Sequence, residues 1–293
     1  MGNPLLDAPA PYRFYASYPL EAPGGHRVGT FCLLDPNPRH LSEAERETLR
    51  DLAEYVQQEL TLDEEFDRAA QVQRSLLPRT VPQVPGFELA GVCLPARAVG
   101  GDFFDWYEID GGAEITVADV MGKGVGAAMI AATVRSALRI ALPTGGALES
   151  LARVASVVQA DLANNEAFVT MFHARLRSAS GELTVVDAGH GLAVLVRADG
   201  STELMPSQNL PLGVLVGQEW KVTRHSMRTG DLLLLFGDGV LDLFDGTLDA
   251  LRQAAAAASK GVHTAQDAVD RIVKLASGAQ DDDVTVIAVQ RVA

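Results

Sequence analysis

The chain has 293 residues, 47% of them hydrophobic, which is enough apolar material for one large or two modest globular domains. Lys plus Arg total 24 against 38 Asp plus Glu, a net charge of −14, and no Lys/Arg cluster is present to neutralise a nucleic-acid backbone or an anionic lipid surface, so nucleic acid is not an expected partner. The start MGNPLLDAPAPYRF lacks a basic stretch followed by an apolar core, no run approaches the ~18 uncharged apolar residues of a membrane span, and the two cysteines, Cys32 and Cys93, read as small buried residues and not as a disulfide framework; a cytoplasmic protein is expected.

The first forty residues contain YRFYASYPL and RVGTFCLLD, separated by the turn-forming EAPGGH. They predict two strands of a hairpin or small sheet, which needs a covering partner to be stable. Ser42 and Glu45 form a capping-box pattern, and Leu49, Leu52, Val56 and Leu60 follow at helical spacing, so a helix begins near residue 42 and supplies the cover. Leu62, Phe66, Ala69, Val72 and Leu76 continue that spacing after a small phase slip, until Pro78, Pro82, Pro85 and Gly86 end it. An apolar stripe of this length suits either a short coiled-coil dimer or packing on its own domain. The expected organisation is an N-terminal segment over residues 1–60, a helical linker over 61–86 and a main domain over 87–293.

From Phe87 onward short β-rich runs recur at FELAGVCLP, FFDWYEI, EITVADV, FVTMFHARL, ELTVVDAG, LAVLVRA, EWKVTRHSM, LLLLFG and VTVIAV. Nine strands exceed what one sheet comfortably holds, which predicts two packed sheets. Helical patterns fall in separate blocks at AAMIAATVRSALRIAL, LARVASVVQADL, LDALRQAAAAA and AQDAVDRIVKLA. Strand runs punctuated by paired helices predict an α+β helix/sheet/sheet/helix sandwich, not the regular alternation of a parallel sheet.

Four aspartates each stand at one end of an apolar run: Asp102 in VGGDFFDWY, Asp119 in EITVADVMGKG, Asp238 in LLLLFGDGV and Asp282 in QDDDVTVIAV. Asp is common at turns and caps for local reasons. Four in comparable settings, delivered to a shared rim, would instead make an all-oxygen pocket for hard cations such as Mg²⁺ or Mn²⁺. Without cations their mutual repulsion would be costly. Such a centre supports hydrolysis of phosphate esters by a two-metal-activated water.

Competing chemistries fit less well. Gly122, Gly124 and Ala127 satisfy G-x-G-x-x-A, but no acidic residue follows at the end of a second strand to hold a ribose, and Asp119 would repel a pyrophosphate. These glycines read better as a tight turn before a closely packed helix. Neither cysteine is followed six residues later by Arg, and no G-x-S-x-G, H-E-x-x-H or C-x-x-C pattern occurs. His190 in DAGHG is the one histidine in a compact motif, where packing or hydrogen bonding behind the site is preferred over direct catalysis. The other five read as structural or solvated. Lys123 reads as a solvated loop residue, with attraction of phosphate as the functional alternative.

The ordered set AVGGDFFDWY, ITVADVMGKGVGAAM, FVTMFHARL, VVDAGHG, LPLGV, TGDLLLLFGDGV and DDDVTVIAV, with the lead-in QRSLLP, resembles the metal-dependent PPM/PP2C-type serine/threonine phosphatases of the bacterial SpoIIE/RsbU branch over residues 74 to 291. The resemblance implies two antiparallel sheets flanked by helices and two Mn²⁺ or Mg²⁺ ions. It implies Asp119 bridging the ions, the Val120 carbonyl on one, Asp238 and Asp282 on the other, and Asp102 bound directly or through water. Asp105, Asp283 and His190 would support them. The Asp281–Asp283 run leaves the last ligand open by one residue, with Asp282 preferred as the first Asp of a D-D-x-T pattern. VLDLFDGTLDAL departs from the family by lacking its usual Gly-Phe-Gly-like continuation.

The implied substrate is a phosphoserine or phosphothreonine on a signalling protein, such as a STAS-domain anti-anti-sigma factor in a partner-switching pathway. Residues 12 to 60 are similar to the C-terminal half of a GAF domain, which suggests dimerisation more than ligand sensing. Two other readings stand beside the phosphatase. One is a non-catalytic interaction module. The other is an enzyme completed by an activating partner, with the helices at Gln71–Leu77 and Ala127–Leu142 as the switch.

Overall fold

A computed structural model describes residues 12–22, 25–141, 146–244, 248–276 and 282–293. Leu142 of the second predicted helix, Asp281 of the acidic run and residues 245–247 of VLDLFDGTLDAL lie outside the described residues. The chain divides into two compact units, Met1–Arg68 and Ala69–Ala293.

In the first unit, β1 (Phe14–Glu21) and β2 (Arg27–Asp35) pair antiparallel from Phe14↔Asp35 onward. Helix α1 (Glu43–Leu76) begins with the predicted capping box: Ser42 N donates to Glu45 Oε2 at 2.7 Å and Glu45 N donates to Ser42 Oγ at 3.3 Å. Within this unit Ala53 is buried and the Glu21 amide donates to Gln57 Oε1 at 3.0 Å, so the helix covers the hairpin as expected. Cys32 corrects the sequence reading, because it is exposed. Among the described residues only two strands form this sheet.

The second unit is a four-layer sandwich. One sheet has the order β10-β7-β6-β5-β4 and the other β3-β12-β11-β8-β9, with every named strand pair antiparallel. The strands are β3 (Phe87–Leu94), β4 (Phe103–Ile109), β5 (Gly112–Val120), β6 (Val169–Arg177), β7 (Glu182–Ala188), β8 (Ala193–Val196), β9 (Thr202–Met205), β10 (Thr223–Ser226), β11 (Leu232–Phe236) and β12 (Val284–Arg291). Thr202–Met205 was not among the expected strands: TELM is short and half polar, and it pairs only with β8 at the sheet edge. EWKVTRHSM supplies only the four-residue β10, also an edge strand.

Period-two alternation sorts the strand residues onto two faces. Phe104, Ile115, Phe172, Leu233 and Ile287 meet between the sheets. Ala118, Val120, Val169 and Met171 face outward against α2 (Val125–Ala141) and α3 (Ala147–Asn164). On the opposite side Leu234, Phe236, Val286 and Ala288 pack on α5 (Leu248–Ser259) and α6 (Ala265–Leu275), after the one-turn α4 (Gly239–Asp242). Both faces of each sheet are therefore covered, which is why β11 can read as unbroken LLLLF with every residue buried. Each such buried Leu or Phe contributes roughly 1.5–3 kcal/mol. Among the described residues no helix is long and apolar enough to cross a membrane.

Candidate metal centre

Antiparallel pairing places the aspartates. In such a pair the end of one strand lies beside the start of the next. The β4/β5 register Phe103↔Ala118 sets Asp102, just before β4, across from Asp119 near the end of β5. The β11/β12 register Phe236↔Val286 likewise brings Asp238, just after β11, and Asp282, just before β12, out at one end of the second sheet. Carboxylate oxygens of Asp102, Asp119 and Asp238 lie within 4.8 Å of one another. Asp102 is buried, Asp119 half-buried and Asp238 exposed, so the group runs from the interior to the rim.

Two glycines make this approach feasible. A Cβ on Gly237 would lie 2.5 Å from Asp102 Oδ2, and one on Gly101 would lie 2.7 Å from the Val120 carbonyl oxygen. The Thr285 hydroxyl donates to Asp102 Oδ2 at 2.5 Å. Thr285 is the Thr of the D-D-x-T pattern, to which the sequence reading assigned no role of its own.

Like charges in a partly dry site favour protonation. Burial, then the charge of Asp119, holds Asp102 well above the usual carboxylate range. Asp119 is pushed up to about 6 by burial and then by Asp238 and Asp282. Asp238 is raised by burial and then by Asp282. An all-oxygen donor set that resists its own ionisation fits hard divalent cations, whose charge would remove the conflict.

The two acids of the D-D-x-T run diverge. Asp282 accepts from Lys123 Nζ at 2.6 Å at the solvent side. Asp283 turns toward the loop before β4: its Oδ1 accepts from the Ala96 amide at 2.8 Å, and its Oδ2 lies 3.5 Å from the donating Asp102 amide. Asp105 lies outside the three-carboxylate group. Fully buried in β4, it accepts from Arg139 Nε at 2.7 Å and Nη2 at 2.8 Å, with Arg135 Nε at 3.0 Å, and so ties β4 to α2.

His190 stands behind the rim. Its Nε2 is 2.8 Å from the Phe236 carbonyl, which can only accept, so Nε2 carries the proton and Nδ1 accepts from Thr170 Oγ at 3.2 Å. Thr170 is the strand partner of Asp119, and Phe236 ends the strand leading to Asp238. Burial lowers the His190 pKa, consistent with a neutral ring that braces both sheets. Asp187 fixes the loop by accepting from the amides of His190 at 2.8 Å and Gly191 at 3.0 Å. The G-x-G-x-x-A glycines have φ of 97° at Gly122 and 81° at Gly124, with open space where each Cβ would stand; they are there for the turn.

Two antiparallel five-stranded sheets flanked by helices, with an acidic cluster at one end, define the PP2C-type class of metal-dependent protein serine/threonine phosphatases. Residues 109–292 match the family model for stage II sporulation protein E (SpoIIE), and the chain belongs to that family. It is 27% identical over 256 residues to the phosphoserine phosphatase RsbU of Bacillus subtilis, covering 84% of this chain and 74% of RsbU. The crystal structure of the RsbU and RsbW domains of Rv1364c from Mycobacterium tuberculosis superposes with a TM-score of 0.62 and 29% identity, over 74% of this chain and 63% of that one. The catalytic domain of the phosphatase PstP, solved with two manganese ions, shares the fold with a TM-score of 0.53 and 21% identity, over 71% of this chain and 100% of that domain.

Proposed function

We propose that the chain hydrolyses phosphoserine or phosphothreonine on a signalling protein, of which a STAS-domain anti-anti-sigma factor is the leading candidate, using two Mn²⁺ or Mg²⁺ ions. The observation that carries this reading is the convergence of Asp102, Asp119 and Asp238 within 4.8 Å at one end of the sandwich. In it, Asp102, Asp119 and Asp238, with Asp282 and the Val120 carbonyl, would hold the ions, Asp102 from the buried side. Bound ions would supply Lewis acidity toward phosphoryl oxygens and acidify water. The protein's own groups do the rest. Thr285 fixes the orientation of Asp102, His190 braces Thr170 and the Phe236 carbonyl behind the rim, and Asp283 holds the loop before β4. The exposed side, at Asp238 and Lys123, is where a phosphoseryl side chain enters; no nucleophilic side chain is needed, so no phosphoenzyme forms.

The test is hydrolysis of p-nitrophenyl phosphate and of a phosphoserine peptide with Mn²⁺, Mg²⁺ or chelator, comparing the native chain with Asp119→Asn and Asp238→Asn. Manganese-dependent turnover lost in both variants supports the proposal. Absence of both turnover and Mn²⁺ binding by calorimetry would leave the interaction module. Binding without turnover would point to an activating partner.

The proposal extends to the N-terminal region. Residues 1–60 act as a partial GAF-like segment and 61–86 as a helical lead-in to a catalytic domain over 87–293, within a cytoplasmic homodimer. Exposed Leu52, Tyr55, Leu60 and Leu62 on α1 support a second copy as the partner. Light scattering on the full chain and on one beginning near Gln71 tests this, and two monomers would refute it.

A further inference from the structure

The motif QRSLLP places Gln73 in the last turn of α1, and its side chain reaches the backbone beside the metal centre. Gln73 Nε2 donates to the Gly100 carbonyl at 2.6 Å, and the Gly100 amide donates back to Gln73 Oε1 at 3.1 Å. One side-chain amide thus satisfies both polar groups of a single buried residue, as a neighbouring strand would. Gly100 belongs to the loop that delivers Asp102, and that loop has no ladder to hold it. A further restraint is Asp283, which accepts from the amides of Ala96 and Asp102. A Cβ at Gly100 would lie 1.8 Å from Asp283 Oδ2, so the loop is pressed between the two side chains with no room for slack.

The helix end that carries Gln73 is itself anchored within the same unit. Leu77 packs against both the inter-sheet core and the α2/α3 core, and Trp106 Nε1 donates to the Thr80 carbonyl at 2.8 Å, fixing the segment just after α1 to β4. Gln73 is therefore a fixed reference against which the loop is set.

We propose that Gln73 is a positioning residue for metal binding: by clamping Gly100 it holds Asp102 in the geometry that completes the carboxylate group. The proposal rests on Asp102 being a metal ligand. It predicts that the end of α1 sets the affinity of the site for its cations, so that releasing the clamp weakens metal binding before it affects the chemical step.

The experiment is calorimetric Mn²⁺ titration of the full-length chain alongside Gln73→Met, which keeps the length and makes neither bond, Gln73→Glu, which keeps only the acceptor, and Asp102→Asn. Melting in chelator checks that each variant folds. Gln73→Met is expected to bind Mn²⁺ roughly tenfold more weakly, the factor to which loss of about 1.4 kcal/mol of hydrogen bonding corresponds. Gln73→Glu should fall between it and the native chain. In turnover assays the change should appear in the Mn²⁺ concentration for half-saturation more than in kcat. Mn²⁺ affinity of Gln73→Met or, should that variant not fold, Gln73→Glu within twofold of native, while Asp102→Asn binds weakly, overturns the role of Gln73 alone. Unweakened binding by Asp102→Asn overturns the ligand assignment and this proposal together.

Discussion

Asp102, just before β4, and Asp105, three residues on within it, are both buried, yet their surroundings are opposite. Asp105 is enclosed by Arg139, which grips both its oxygens, and by Arg135. Asp102 faces Asp119, Asp238 and Asp283, and its described hydrogen-bond donor is the hydroxyl of Thr285. A buried carboxylate with its own guanidinium partners is a structural tie between a strand and a helix. A buried carboxylate surrounded by carboxylates is stable only with a proton or an external cation. The sequence FFDWY next to GGD shows two acids in one motif; their neighbours separate the roles.

Substitutions test that contrast most sharply. Asp119→Asn or Asp102→Asn should lower Mn²⁺-dependent kcat on the order of a thousandfold, about 4 kcal/mol of barrier, in a p-nitrophenyl phosphate assay. In chelator the same variants should melt no lower than the native chain, since each removes repulsion. Asp105→Asn should do the reverse: it leaves two arginines without their partner, and should cost about 3–5 kcal/mol in urea unfolding. If Asp105→Asn leaves stability intact but abolishes Mn²⁺ binding, the two aspartates have been assigned the wrong way round.

The pH response follows from the same cluster. The folded pKa of Asp119 is raised from 3.8 to about 6, so the folded metal-free chain holds a proton that the unfolded chain releases between those values. This group's contribution to stability therefore falls as pH rises through that window and is flat above it. Mn²⁺ should reverse the trend, raising Tm more at pH 7 than at pH 5, because protons compete for the same oxygens. Thermal melts at the two pH values with and without Mn²⁺ measure it; an equal Mn²⁺ shift at both would argue against these carboxylates as the ligands.

Smaller effects lie at the rim. Thr285→Val removes the hydroxyl from Asp102 and should weaken Mn²⁺ binding by roughly fivefold to tenfold, the scale of one hydrogen bond. Lys123→Met breaks an exposed pair with Asp282, worth about 0–1 kcal/mol, and should change Mn²⁺ affinity by no more than a few-fold. A large loss in kcat/KM for a phosphopeptide with Lys123→Met would show that this lysine meets the phosphate.

Much of this architecture was legible from local pattern. Alternating strands, the capping box at Ser42 and the apolar face of AQDAVDRIVKLA are written in residues close together in the chain, and burial period and turn chemistry translate them directly. The aspartates at strand ends also marked themselves, because a charge terminating an apolar run needs a reason. The edge strand TELM was not legible, since half-polar edge segments lack a burial period, nor was the exposure of Cys32, which depends on what packs over its strand and not on the apolar run it sits in.

What the sequence by itself determined is the set of elements and the acidic residues at their ends, because those follow from nearest-neighbour stereochemistry and hydrophobic periodicity. Only the tertiary structure decided which carboxylates meet, that Arg135 and Arg139 take Asp105 out of the group, that Asp282 and Asp283 point to different partners, and that Gln73 reaches Gly100. Each of these depends on strand register and helix placement across long sequence separations, where a shift of one residue would reverse a side chain's face and change its partners.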